Sequence, residues 1–311
     1  MTPPHDASTA GNASATGIAG IAGIAGSNSP ENPTQSIRFM KGNPLMITLA
    51  ITNQKGGVGK TTTTFHLARA LQRRGLRTLV VDLDPQSNIS VALSAQPLED
   101  GQAGLAHALS QHSDLTVPDV VVSTVWDRVH LVPAGGDALA GVRNELVIAG
   151  PGREARLGEQ LALVTEDFDV CLIDCAPSLD LLTSNALAVA DGVVIVTQSK
   201  LMSTTGLASL LETINAARRY LNPALTVAGV LVNLHEAGTI AGAHWLGVVE
   251  AACVTQNLPL LAPPVPRRVV ISDAAEARCG LDEYPGAPTA LVNLYDTHLD
   301  AILSTMGGTD Q

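Results

Sequence analysis

The chain has 311 residues, 46% of them hydrophobic, enough to bury a full core as one large α/β domain with a tail. Its net charge of −11 argues against a constitutive nucleic-acid binder with a basic surface throughout, and with only four lysines any DNA contact has to come from local arginine clusters. No apolar run is long enough to span a bilayer, no basic n-region precedes an apolar h-region, and four cysteines without framework spacing fit a reducing cytosol.

Residues 1–45 are rich in Ala, Gly, Ser, Thr, Asn and Pro and carry a Gly-Ile-Ala triplet repeat over 17–25. Such a segment buries too little apolar surface to offset its ordering entropy and is expected to be disordered. It contains no helix-turn-helix pattern. The folded domain is expected over 46–311. Met46 opens its first strand directly, so a translation start at Met46 is expected, which the intact mass of natively expressed protein checks.

Met46-Ile47-Thr48-Leu49-Ala50-Ile51 is a short apolar run suited to a strand buried on both faces. After it comes Lys55-Gly56-Gly57-Val58-Gly59-Lys60-Thr61-Thr62. This is a phosphate-binding loop, whose glycines let backbone N–H groups converge on phosphate oxygens. Its lysine reaches the β/γ-phosphates and its hydroxyl ligates Mg²⁺. The usual first glycine is replaced by Gln54, and Lys55 is a second lysine that a single bound nucleotide does not require. From Lys60 the pattern turns helical through Phe65, Leu67, Ala68 and Leu71, with a stop at Arg73-Arg74-Gly75. Strand, glycine loop and helix N-terminus together make an anion site.

Arg77 to Leu83 reads as a second strand that ends in carboxylates at Asp82 and Asp84, before Pro85-Gln86-Ser87-Asn88. Ligands of open α/β sheets lie beyond the carboxyl ends of the strands. There a carboxylate can orient the water that attacks a triphosphate, or hold Mg²⁺ through water. Asp84 is the better candidate for that work and Asp82 for a structural one. Phe168 to Asp174 is a third buried strand, and Asp174 stands where a Walker B carboxylate is needed. Cys171 and Cys175 fall on one face of it, roughly 13 Å apart at ~3.3 Å per residue, and are expected in the core.

Gly192–Val196 and Leu225–Asn233 read as further buried strands, with helices near 203–220 and 241–256 after them. This alternation predicts an α/β fold with a mostly parallel central sheet flanked by helices on both faces. Asn233 could contact the base of a nucleotide and Pro266 could wall its pocket, each weighed against an ordinary turn residue. Of the two arginine pairs, Arg218-Arg219 fits a dipole-favoured helix end. No histidine lies in a metal-binding pattern, and no Gly-x-Ser-x-Gly elbow is present.

The loop, the segment Asp82-Leu83-Asp84-Pro85-Gln86-Ser87-Asn88 and Asp174-Cys175-Ala176-Pro177-Ser178 together resemble the ParA/MinD family of deviant Walker A ATPases, most of all its Soj-like ParA members. The resemblance runs from Met46 to about Thr305 and weakens after residue 200. It implies a P-loop NTPase fold and hydrolysis of ATP with Mg²⁺. Gly56, Gly57, Val58, Gly59, Lys60, Thr61 and Thr62 would cradle the phosphates, with Lys60 acting in cis and Thr61 on the metal. Asp84 would orient the water or reach the metal, and Asp174 would be the Walker B acid. Lys55 would reach across an ATP-sandwich homodimer. The family's dimer binds DNA nonspecifically and a ParB-type partner stimulates it, which implies a cytoplasmic, nucleoid-associated protein and no membrane contact. Arg267 and Arg268 are the expected DNA-binding remnant. The chain departs from the pattern at Ser87, where Gly is common. It also lacks a basic amphipathic helix at its C-terminus. Competing readings are a positioning ATPase for a non-DNA cargo and a metabolic enzyme on the same fold. The metabolic reading takes the form of a dethiobiotin synthetase-like ligase or, less well without cluster cysteines, a nitrogenase-reductase-like electron donor.

Overall fold

The computed structural model describes residues 46–200 and 202–307. The 1–45 segment, expected to be disordered, lies outside the described residues. The strands are β1 (Ile47–Thr52), β2 (Thr78–Leu83), β3 (Val122–Ser123), β4 (Val129–Val132), β5 (Val170–Cys175), β6 (Gly192–Gln198), β7 (Thr226–Asn233) and β8 (Leu260–Leu261). They form one sheet in the order β3-β4-β2-β5-β1-β6-β7-β8. Every pairing is parallel except β3 with β4 at one edge.

The helices are α1 (Lys60–Arg73), α2 (Asn88–Leu93), α3 (Leu105–Leu109), α4 (Val117–Val120), α5 (Asp137–Ile148), α6 (Arg156–Leu161), α7 (Leu181–Val189), α8 (Met202–Tyr220), α9 (Ile240–Thr255), α10 (Val269–Glu276) and α11 (Thr289–Gly307). Alternation along the central strands divides the core into two layers. Leu49, Ile51, Leu172 and Val194 pack with α1, α2, α10 and α11, whereas Ala50, Ile173, Val193 and Ile195 pack with α3 to α9. The helices therefore flank both faces, as the sequence pattern predicts. Cys171 and Cys175 share one layer and are both buried, so their core assignment holds.

Central strands buried on both sides need apolar residues at nearly every position, which is why β1, β5, β6 and β7 read as continuous runs. The sequence pattern places each within one or two residues of its observed bounds. It gives no elements between Ser94 and Thr165, where β3, β4 and α3 to α6 are found. α1 stops as expected: Gly75 adopts φ +74°, and its N–H donates to the Gln72 carbonyl at 2.8 Å.

His66 couples this first helix to the C-terminal part of the chain. Its Nε2 lies 2.9 Å from the Ile271 carbonyl of α10, and its ring packs against Tyr295 of α11 with 4.8 Å between centroids. Burial pushes the imidazole down to about 4, and the Ile271 carbonyl opposes that only in part. Unfolding restores the ordinary value near 6.5, so the unfolded chain takes up a proton that the native state refuses. Stability should hold above pH ~6.5 and fall by up to about 3 kcal/mol as the pH drops through ~4. Urea unfolding across that range should show this slope in the native chain and a flatter one in His66→Gln, which keeps a donor for the carbonyl.

Candidate phosphate-binding site

The carboxyl ends of β1, β2, β5, β6 and β7 meet around the loop from Lys55 to Gly59. Its entry is pinned by Asn53, whose Oδ1 accepts from Lys55 N at 2.9 Å while its Nδ2 donates to the Val196 carbonyl at 2.7 Å. Gln198 at the end of β6 donates to the Gly57 carbonyl at 2.9 Å, and Asn233 at the end of β7 donates to the Val58 carbonyl at 2.9 Å. Side chains from the sheet thus take the loop's carbonyls. No protein acceptor takes the N–H groups of Gly57, Val58 or Gly59 among the described residues. Gly57 and Gly59 adopt φ +70° and +90°, a left-handed backbone that costs an L-residue about 1–2 kcal/mol. A Cβ on Gly59 would also overlap Nδ2 of Asn233. Free N–H donors, a tight left-handed turn and the N-terminus of α1 together fit a polyphosphate.

Lys60 is only 6% exposed. Its Nζ lies 3.4 Å from the Lys55 carbonyl, a long contact that leaves most of its donor capacity open. Burial lowers the ammonium from its ordinary value, against the opposing pull of Asp174, Cys175 and Asp84. Asp174 accepts from Thr61 Oγ1 at 2.7 Å and from Thr64 Oγ1 at 3.2 Å. Burial pushes its carboxyl up to about 6, with Thr61, Lys60 and Thr64 holding it down in part. A hydroxyl and a carboxylate in contact supply the hard oxygen donors that Mg²⁺ prefers. No cluster of three His, Cys, Asp or Glu side chains suited to a metal occurs among the described residues, so water and phosphate oxygens have to complete the shell. The residues present fit Mg²⁺ with a nucleotide.

The two carboxylates at the end of β2 have separate duties. Asp82 is fully buried and accepts from Asp84 N at 3.0 Å, Ser90 N at 3.0 Å and Ser90 Oγ at 2.6 Å. It ties β2 to α2 and has the structural character expected of it. Asp84 accepts from Gln86 N at 3.0 Å through Oδ1 and contributes to the field at Lys60 and Asp174. Ser87, the residue that departs from the family pattern, sits at φ +57°. Glycine would take this conformation without strain.

The other expected residues are distributed as follows. Val58 is buried, Gly56 is exposed, and Thr62 is half-buried in the first turn of α1. Asn233 is buried with its amide engaged by Val58 and by Leu234 N, so its visible duty is to hold the loop. Pro266 pairs with His235 beyond the end of β7, which brings Arg267 and Arg268 beside the loop. Arg267 is bound to Glu236 at 2.9 Å, while Arg268 occupies the N-cap position of α10 without a side-chain capping bond. Arg218 donates to the Leu225 carbonyl at 2.8 Å, in keeping with a helix-end role. Sequence reasoning did not single out Asn53, Thr64, Gln198 or Glu236. Gln198 carried a signal, its place at the carboxyl end of a buried strand.

This fold and site define a nucleoside-triphosphate hydrolase of the P-loop class. An AAA-domain family profile matches residues 46–227. The sporulation initiation inhibitor protein Soj of Bacillus subtilis is 37% identical over 226 residues, which cover 73% of this chain and 86% of Soj. The chromosome-partitioning ATPase Soj of Thermus thermophilus is 42% identical over 62% of this chain and 71% of its own. Among solved structures, cobyrinic acid a,c-diamide synthase of Mycobacterium smegmatis with bound ADP and magnesium superposes with a TM-score of 0.65. That protein is 34% identical over 75% of this chain and 94% of its own. The ATP complex of a Cyanothece McdA variant superposes with a TM-score of 0.74 at 23% identity, over 82% of this chain and 96% of its own, a likeness of fold. The chain belongs to the ParA/MinD family, in its Soj-like ParA group, and is an ATPase that uses ATP with Mg²⁺.

Gly59→Ala should destabilise the chain by about 2 kcal/mol or more and abolish ATP binding, because it adds backbone strain to the collision with Asn233. In an Asn233→Ala background the added penalty should shrink, since only the strain remains. Chemical unfolding and calorimetric ATP titration of the double-mutant cycle check this, and strict additivity would refute the contact.

Proposed function

We propose that the chain is a partition ATPase whose Mg-ATP form is a sandwich homodimer that binds DNA nonspecifically and is stimulated by a ParB-type partner. The observation that supports this best is the division of labour between the two lysines. Lys60 is buried with its own loop and carboxylates. Lys55 is half-buried, held by its backbone, and its ammonium has no ion-pair partner among the described residues. A second cation placed at the rim of one phosphate site serves best on the phosphates of a facing subunit.

Within one subunit, Lys60 and the loop N–H groups bind charge that develops on the phosphate oxygens, while Thr61 and Asp174 hold the metal. Bound Mg²⁺ supplies further neutralisation of that charge. Asp84 orients the attacking water. These roles require Lys60→Ala to abolish ATP binding. Asp84→Ala should retain binding and dimerisation and lose hydrolysis. Lys55→Ala should spare ATP binding while losing dimerisation and turnover. Sedimentation with ATP and phosphate release measure these, and wild-type turnover by Asp84→Ala would reject its assignment.

The low lysine content and the Arg267–Glu236 pair favour a second reading, a positioning ATPase for a cargo other than DNA. The likeness to the M. smegmatis synthase supports a third, a metabolic ligase on the same fold. DNA binding compared with ATP, with ADP and without nucleotide separates them. The partition reading expects binding with ATP alone and a steep fall with salt.

A further inference from the structure

Beside the phosphate loop is a cavity of about 420 Å³, lined by Gly57, Gln198, Lys200, Arg267, Arg268 and Ser272 among others. Three of its lining side chains are cations and none is a carboxylate. The first turn of α10 also lines it through Val269 and Ser272, so a helix N-terminus adds to the positive potential. The chain carries a net charge of −11 and four lysines, and one of these lies in this cavity. Neither Lys200 nor Arg268 has an ion-pair partner among the described residues. Arg267 does: its Nη1 lies 2.9 Å from Oε1 of Glu236, both side chains being largely exposed at 61% and 41%.

We propose that this cavity is a binding site for a phosphodiester backbone, and that Glu236 is a built-in counter-charge that holds Arg267 and keeps the site weak. The proposal rests on the DNA reading above and deepens it, because it adds Lys200 and Glu236 to a surface that Arg267 and Arg268 alone would form. A carboxylate beside a guanidinium mimics the geometry of a phosphate and must be displaced before a real one can bind. Exposed pairs of this kind are worth up to about 1 kcal/mol, so displacement reduces affinity by up to about fivefold. Removing the charge of Glu236 leaves its backbone contacts in place, since its carbonyl accepts from Thr239 whatever the side chain carries.

The experiment measures binding of a random-sequence DNA duplex with Mg-ATP over a range of salt for wild type, Glu236→Gln and Glu250→Gln. Both variants change the net charge equally, but Glu250 lies on α9 about 15 Å beyond its first residue and does not line the cavity. Thermal unfolding of each verifies that the fold survives. Glu236→Gln should bind up to about fivefold more tightly, with a log–log salt slope steeper by about 1, and Glu250→Gln should match wild type. Adding Arg267→Gln or Lys200→Gln to Glu236→Gln should remove the gain. ATP-dependent binding by wild type with no gain in Glu236→Gln overturns this proposal alone, as does a gain that persists without Arg267. Absence of binding by every variant overturns both this proposal and the DNA reading.

Discussion

The structure depends on keeping one ammonium out of water. Lys60 is buried at the mouth of a parallel sheet, and a buried cation is tolerated only with opposite charge close by. Asp174 and Asp84 provide that charge, yet they are buried too, one within β5 and the other just after β2. The three groups can coexist only if β1, β2 and β5 end at the same level. The register does this by setting Ile51 beside Asp174 and Asp82 beside Asp174. The anion site is therefore a product of strand alignment as much as of the glycine loop. A phosphate that enters it meets groups whose desolvation was already met by folding.

Much of this was legible in the chain because the site lies where local signals are strongest. Glycines, a lysine and threonines at fixed spacing specify a loop, and apolar runs ending in Asp82 or Asp174 specify strand ends. The stretch from Ser94 to Thr165 gave no such signal. β4 has four residues, β3 has two, and α3, α4 and α6 are too short for a helical period to declare itself. The holding contacts of Gln198 and Asn233 were hidden for another reason. Each reaches a backbone carbonyl far away along the chain, at separations of 141 and 175 residues, and no local spacing encodes that proximity.

Two of the four lysines lie in the phosphate loop, and among the described residues many arginines are engaged by carboxylates. Arg69, Arg73 and Arg77 bind Asp282, Asp296 and Asp169, and Arg156 binds Glu145. The first three pairs tie α1 and its following strand to later parts of the chain. Arginines committed to such contacts reach a polyanion only by giving up their carboxylate partners, so net charge alone understates how restricted the basic surface is.

Ser87 has a consequence of a different kind. It holds a left-handed backbone shortly after Asp84, and its N–H closes a turn onto the Asp84 carbonyl at 2.9 Å. A glycine would rest there at no cost, whereas serine raises the energy of this arrangement by about 1 kcal/mol. That energy disfavours the described geometry relative to any other in which residue 87 returns to an ordinary backbone. At about 1.4 kcal/mol per tenfold change in a population ratio, the segment after β2 is set roughly fivefold closer to leaving its present shape than it would be with glycine. One hydroxymethyl group thus tunes how readily the Asp84 carboxylate is released from its position.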